Sequence, residues 1–273
     1  MWISRYVCLF MIYSFIGWIY ETAFCTVSSG KWENRGFLYG PVCPIYGTGA
    51  VAISLVMGIA IANNFELPAW QIFLISVVGS MVIEYTTSWT LEKMFHAVWW
   101  DYSNLPFNLN GRISLFTTLA FGVVGLLVVY YIAPFTDSVM DGIAPIITEI
   151  MAFILVFIFA VDITLTVTVL LDFDEKVDSI ESTFNNRMEM IVDDTKLKSR
   201  QIKQAIVTRS RAVNDQIYSL NGFTRETVGR IKAFRNRDKN KESIGNRILS
   251  KIREAIRNRD TSQSKEEENK QEE

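Results

Sequence analysis

The chain is short of the residues that most site chemistry uses. Its 273 residues include one His (His96) and three Cys (Cys8, Cys25 and Cys43), with no C-x-x-C spacing. That disfavours a disulfide framework and a Cys/His metal site, and no metal ligand or cofactor is assigned. No G-x-x-x-x-G-K-[ST] stretch occurs, so the chain is not itself a phosphate-loop ATPase. No nucleophile–base pair stands out either. No catalytic residue is assigned, and the chain is read as a non-enzyme. Positive charge is scarce over most of the length: of 27 Lys and Arg residues, only Arg5, Lys31, Arg35, Lys93 and Arg112 precede Asp172.

Apolar sequence fills that region instead. Stretches at roughly 6–26, 38–61, 70–91, 113–133 and 147–171 are each long enough to cross a bilayer. A helix rises 1.5 Å per residue, so about 20 apolar residues span a hydrocarbon core of about 30 Å. Five such stretches leave too little polar surface for a soluble helical protein. The expected fold is all-α: a polytopic bundle of about five transmembrane helices over 1–172. A charged, amphipathic or coiled-coil-like helical tail is expected over 173–259, and a disordered acidic end over 260–273. The first stretch is longer than a signal-peptide core, no A-x-A site follows it, and Phe24 before Cys25 spoils a lipoprotein-type site, so it reads as a retained helix.

Charge sets the expected orientation. Because 22 of the 27 basic residues follow Asp172, the positive-inside bias puts the tail in the cytoplasm. Five crossings of the inner (cytoplasmic) membrane then put the N-terminus outside. Loop 27–37 carries Lys31 and Arg35 and loop 92–112 carries Lys93 and Arg112, both on the inner side. The outer loops 62–69 and 134–146 hold Glu66, Asp137 and Asp141 but no Lys or Arg. Arg5 is the one dissenting charge.

Two inner segments break the apolar pattern. Residues 30–49 hold five glycines together with Pro41 and Pro44. One reading is a helix start with Pro in its first turn. The other is a partly unwound segment lining a site, since irregular backbone at membrane depth must be satisfied by protein or a water-filled cavity. Residues 99–112 combine Trp99, Trp100 and Tyr102, which suit an interface, with Asp101, Asn104, Asn108, Asn110 and Arg112. That polar density points to a folded loop with internal hydrogen bonds.

Ionisable groups inside the spans add candidates. Glu21, Glu84 and Asp162 fall within apolar stretches, where a charge costs roughly 2.5–3.5 kcal/mol and should face a protein partner. Glu84, Ser88 and Glu92 share a helix face, as do Ser14, Gly17 and Glu21, and so do Asp162 and Thr166. The candidate ligand or pathway residues are Glu21, Arg35, Tyr46, Glu84, Glu92, Asp101, Asn108 and Arg112, with Asp162 as a further intramembrane acid. A purely structural Arg–carboxylate lattice, a ligand or ion pathway and a catalytic site all remain open. Glu21 and Tyr39 recur 63 residues later as Glu84 and Tyr102, an echo that fits a two-helix repeat.

The tail is zoned by charge. Residues 174–194 carry seven acidic and two basic side chains, 196–259 carry 18 basic and five acidic, and 260–273 carry six acidic and two basic. Apolar residues from Val177 to Leu220 fall near helical spacing, which suits an amphipathic, self-associating helix. Ile244, Ile248, Ile252 and Ile256, edged by Arg247, Lys251, Arg253 and Arg257, suit a helix lying on anionic lipid. Nucleic acid is the disfavoured partner, because no recognised fold or stacking set accompanies the charge.

Across roughly residues 6–130 the chain resembles a bacterial family of ABC-transporter type IV, CmpB-like permeases. The resemblance rests on Gly17-Trp18 with Glu21-Thr22, on Arg35-Gly36-Phe37-Leu38-Tyr39-Gly40-Pro41, and on Pro44-Ile45-Tyr46-Gly47. It continues through Glu84-Tyr85, Ser88-Trp89, Leu91-Glu92, Trp100-Asp101-Tyr102, Phe107-Asn108 and Gly111-Arg112-Ile113. The resemblance implies a polytopic permease subunit and a separate ATPase subunit as partner. The residues alone also allow a scaffold or sensor acting through its basic tail, which could make homo-oligomers, or a membrane-embedded enzyme working on an anionic lipid head group.

Overall fold

Proline and glycine dictate where helix gives way to irregular backbone. The computed structural model describes residues 2–30, 34–193, 222–234, 246 and 249–254. Helix α1 (Trp2–Ser29) runs through an apolar sequence without proline and stops at Gly30, whose φ of +67° is the left-handed conformation that ends helices. Helix α2 (Pro44–Ala62) opens with Pro44 in its first turn, where a missing N–H costs nothing. Helix α3 covers Ala69–Phe95. Helix α4 (Leu115–Leu127) starts at Ser114, which exchanges capping bonds with Thr117. A π turn (Val128–Ile132) links it to α5 (Ala133–Asp141), and α6 runs from Pro145 to Asp193.

Among the described residues, five segments are long and apolar enough to cross a membrane: Trp2–Ser28, Pro44–Ala62, Ala69–Phe95, Leu115–Asp141 and Pro145–Phe173. The second and fourth differ most from the apolar stretches. Residues 38–43, read as the start of the second span, are not helical, because Gly36, Gly40, Pro41 and Pro44 cluster there. Pro44 starts a helix, and residues 34–43 stay irregular while Leu38 and Cys43 are buried. The fourth span runs eight residues beyond the apolar stretch that ends at 133. Pro134 has no N–H to continue the i→i−4 ladder, and the preceding turn widens to a π geometry instead of breaking.

Side chains hold that extension in place. The Tyr13 and Thr136 hydroxyls are hydrogen-bonded at 2.8 Å, and Arg5 pairs with Asp137 at 2.8 Å and Asp141 at 2.5 Å. The dissenting charge of the sequence is therefore matched by two carboxylates.

Within the first compact unit, residues 1–91 and 99–166, small residues let the helices approach closely. A Cβ on Gly17 would fall 2.3 Å from the Cβ of Tyr46, and one on Gly47 would fall 2.1 Å from the Ser14 hydroxyl. Gly125 meets Ser76 in the same way, and Gly122 meets Phe73, so α1 packs on α2 and α3 on α4. The core between them centres on Leu9, Tyr13, Ile53, Ile72 and Val128.

Irregular backbone in this unit finds its partners inside the chain. Cys43 donates its N–H to the Ser14 carbonyl at 2.9 Å. The Asp162 carboxylate, on α6, accepts the N–H groups of Tyr39 at 3.1 Å and Gly40 at 3.0 Å, and the Thr166 hydroxyl at 3.4 Å. A Cβ on residue 40 would lie 2.7 Å from that carboxylate, so only glycine fits. Asp162 thus substitutes for the helical carbonyls that the Pro41 segment has lost.

The second unit contains residues 92–98 and the sequence from 167 onward. Residues 92–98 thus belong with the tail although they precede the composition break at 172. Strand β1 (Ala97–Val98) pairs antiparallel with β4 (Ala233–Phe234), which follows a short helix, α7 (Gly222–Gly229). Phe95, Phe173, Val228, Ile231, Phe234, Leu249 and Ile252 are all buried, and the Phe173 and Phe234 rings stack at 5.9 Å. Asn246 brackets the Phe234 backbone, accepting its N–H at 2.8 Å and donating to its carbonyl at 3.4 Å. The tail stripe from 194 to 221 lies outside the described residues.

Replacing Asp162 by Ala leaves the Gly40 N–H without its acceptor, while the Tyr39 N–H keeps the Thr166 hydroxyl at 3.2 Å. The expected loss is about 1–3 kcal/mol, read as a lower unfolding midpoint in detergent. Asp162→Asn, which keeps one acceptor oxygen, should lose about half as much. Equal midpoints for all three proteins would remove Asp162 from this role.

Candidate functional site

Two carboxylates on separate spans meet at one end of the first unit. Glu21 lies in the last third of α1 and Glu84 beyond the middle of α3, each on an otherwise apolar run. Close packing at Gly17 brings the first turn of α2 against α1. That places the Tyr46 hydroxyl 2.5 Å from Glu21 Oε2, to which it donates. The Cys25 thiol, one turn along α1, approaches Glu21 Oε1 at 3.8 Å. Tyr20 and Phe121 pack their rings against Tyr46 at 6.1 and 5.9 Å and fix its direction.

Glu84 is answered in the same way from the loop that follows its own helix. The Tyr102 hydroxyl is hydrogen-bonded to it. Burial pushes the Tyr102 phenol above its ordinary ionisation range, and the negative charges of Glu84 and Glu21 push it further in the same direction. Tyr102 therefore remains a protonated donor. Glu21 also lies within electrostatic reach of Glu84, so the four groups form one cluster: two acids, each held by a phenol.

The loop that delivers Tyr102 is a folded structure. Strands β2 (Asn108–Leu109) and β3 (Ile113–Ser114) form a tight hairpin. Gly111 at its turn has a φ of +68°, and a Cβ there would collide with Asp101 Oδ1 at 2.6 Å. Asp101 accepts the N–H and hydroxyl of Ser103 at 3.0 and 2.6 Å. Asn108 donates to the carbonyls of Leu105 and Ser103 and accepts the Gly111 N–H at 3.1 Å. Tyr102 itself is anchored by its N–H to the Gly111 carbonyl at 2.8 Å.

The candidates therefore separate by position. Glu21, Tyr46 and Glu84 come together. Asp101 and Asn108 are spent on loop geometry. Arg112 lies with its guanidinium carbon 5.3 Å from the Tyr85 ring centre, and its carbonyl accepts the Trp100 indole N–H at 2.9 Å. The Arg35 N–H donates to the Thr22 hydroxyl at 3.4 Å. Asp162 clamps the 39–40 backbone. Glu92 is buried in the second unit. Of the tail residues, Arg253 donates to the Lys232 carbonyl at 3.0 Å and to that of Ile231, while Ile252 is buried. Lys251 is half-buried, and Arg247 and Arg257 lie outside the described residues.

Sequence reasoning left Tyr102 out of the site, although the 63-residue echo pairs it with Glu84. The echo does not carry over to the other acid: Tyr39 meets Asp162 through its backbone, and the phenol at Glu21 comes from Tyr46.

A cavity of about 400 Å³ adjoins the cluster. Helices α1 to α4 and the π turn line it with apolar side chains. Glu84 and Tyr46 are at the cluster, and Tyr13, Tyr20, Ser76 and Ser80 are its other polar groups.

A family model described as "Putative ABC-transporter type IV" matches residues 8–167, more than half of the chain. The match includes every member of the cluster and all the cavity-lining residues. No curated protein and no solved structure matches the chain.

Alkaline titration tests the burial of Tyr102. The rise in tyrosinate absorbance near pH 10 should come from other tyrosines and stay unchanged in Tyr102→Phe. If the variant lacks one titrating phenol in that range, Tyr102 is accessible and the cluster is open to water.

Proposed function

Taking as premise that the chain belongs to the ABC-transporter type IV family, we propose that it is a permease-like subunit whose transport site is the Glu21–Tyr46–Glu84–Tyr102 cluster. One observation carries this reading: two carboxylates from different spans stand within reach of each other, each hydrogen-bonded to a tyrosine. A single ion pair would suffice to lock two helices. Two ionisable carboxyls near each other in an apolar setting are costly, and groups kept at such a cost are usually functional. Arg35 and Arg112 flank the site through the two loops, and Asp101 and Asn108 shape the loop that carries Tyr102.

The proposed setting is the inner membrane, with the N-terminus outside and the cluster toward the cytoplasmic leaflet. The pairing of Arg5 with Asp137 and Asp141 supports this orientation, because it offsets the only basic side chain on the outer side. With no phosphate loop of its own, the subunit works with a separate ATPase. A second reading, a membrane-anchored scaffold, draws support from the packed tail around Phe234.

Purification in mild detergent and reconstitution into liposomes separate the two readings. A subunit carrying a phosphate-loop sequence should co-purify. Glu84→Gln and Glu21→Gln should keep that association but lower coupled ATP hydrolysis about tenfold or more, the scale of one lost charge-assisted contact. A scaffold would keep its full activity in both variants and lose it on deletion of residues 174–259. Absence of any nucleotide-binding subunit would sink the permease reading.

A further inference from the structure

The cavity beside Glu84 is built for a ligand, and its lining says which kind. Glycine is the poorest helix former after proline, so a glycine inside a helix needs a reason. Gly17, Gly47, Gly122 and Gly125 have one, since a Cβ on any of them would collide with a neighbouring helix. Gly49 and Gly79 do not. A Cβ on either would meet nothing within 4 Å, and both line the cavity. Close packing is thus not what keeps them small. They hold space open.

A second observation points to what enters that space. Glu84 is only 4% exposed and lines the cavity, yet its Oε2 has no hydrogen-bond partner among the described residues. A buried carboxylate oxygen without a donor is costly and calls for one. The Glu21 carboxylate reinforces the negative potential at this end, and no Lys, Arg or His is among the lining residues. The rest of the wall is almost wholly apolar. From Ser76 to Glu84 on α3 it extends eight residues, about 12 Å of helix rise.

We propose that this cavity binds a lipophilic ammonium ion, with the N–H donors on Glu84 Oε2 and the hydrocarbon part lying along Gly79, Ser76 and Gly49 toward Val128. Charge excludes the corresponding acid, because an amphiphilic carboxylate would set a third negative group beside Glu21 and Glu84. A neutral alcohol fills the same space but gains no charge-assisted bond. This assignment deepens the transport reading, as it names the ligand class of the same site. Its test reads equilibrium binding alone, so either can fail without the other.

The full chain in phosphatidylcholine nanodiscs is dialysed against tritiated decylammonium, decanol or decanoate, with empty nanodiscs subtracted. Decylammonium should bind about tenfold more tightly than decanol, and decanoate should show no saturable binding. Glu84→Gln should remove the preference for the amine. Gly79→Leu replaces a poor helix former by a good one and grows only into the cavity, so it should keep the unfolding midpoint while weakening amine binding about tenfold or more. Equal binding of amine and alcohol, saturable binding of decanoate, or unchanged binding in Gly79→Leu would each overturn the proposal. Amine binding without coupled ATP hydrolysis would leave the ligand class standing and sink the permease reading alone.

Discussion

A carboxylate withdrawn from water has to be answered by donors, and in the membrane-crossing part of this chain the donors come from the chain itself. Asp162 takes two backbone N–H groups that Pro41 and its neighbours have freed from helix geometry. Glu21 takes a phenol from α2, and Glu84 takes one from the loop after α3. These bonds join helices that apolar packing alone would leave free to slide, because lipid tails and leucine side chains are equally apolar. The positions of the irregular segments follow from the same requirement.

The three acids nonetheless differ in what they leave over. Asp162 is used up by Tyr39, Gly40 and Thr166, and its task is architectural. Glu21 has Tyr46 and the thiol of Cys25. Among these three, Glu84 has an oxygen with no hydrogen-bond partner among the described residues, and the residue lines the cavity. That difference could not be found by counting acidic residues in spans. The close helix contacts at Gly17 and Gly125 serve both ends, for they set the distance at which Tyr46 reaches Glu21 and the wall of the cavity that begins beside Glu84.

The tail follows a different rule. Its composition suggests a charged appendage, yet its described part has a small core of its own, in which Phe173, Phe234, Leu249 and Ile252 pack and residues 97–98 supply a strand. Ile252 and Arg253, which read as one edge of a membrane-surface helix, are engaged in that packing. An isoleucine every fourth residue looks the same whether it faces lipid or a neighbouring phenylalanine.

What the sequence determined by itself were the features that depend on local composition. Bilayer-length apolar runs set the number of spans, Gly30 and Pro44 set helix ends, and the polar density of 99–112 required an internally bonded loop. Glu21 and Glu84 were legible as acids that need partners, because an acid in an apolar run needs one wherever it is. Tertiary structure decided which partner each acid received. It assigned Asp162 to backbone, Tyr102 to Glu84 and Arg5 to Asp137 and Asp141, and it distinguished glycines packed against a neighbour from glycines with open space beside them. Those choices rest on contacts between residues as many as 136 positions apart, set by a few ångströms of helix approach that no local pattern encodes.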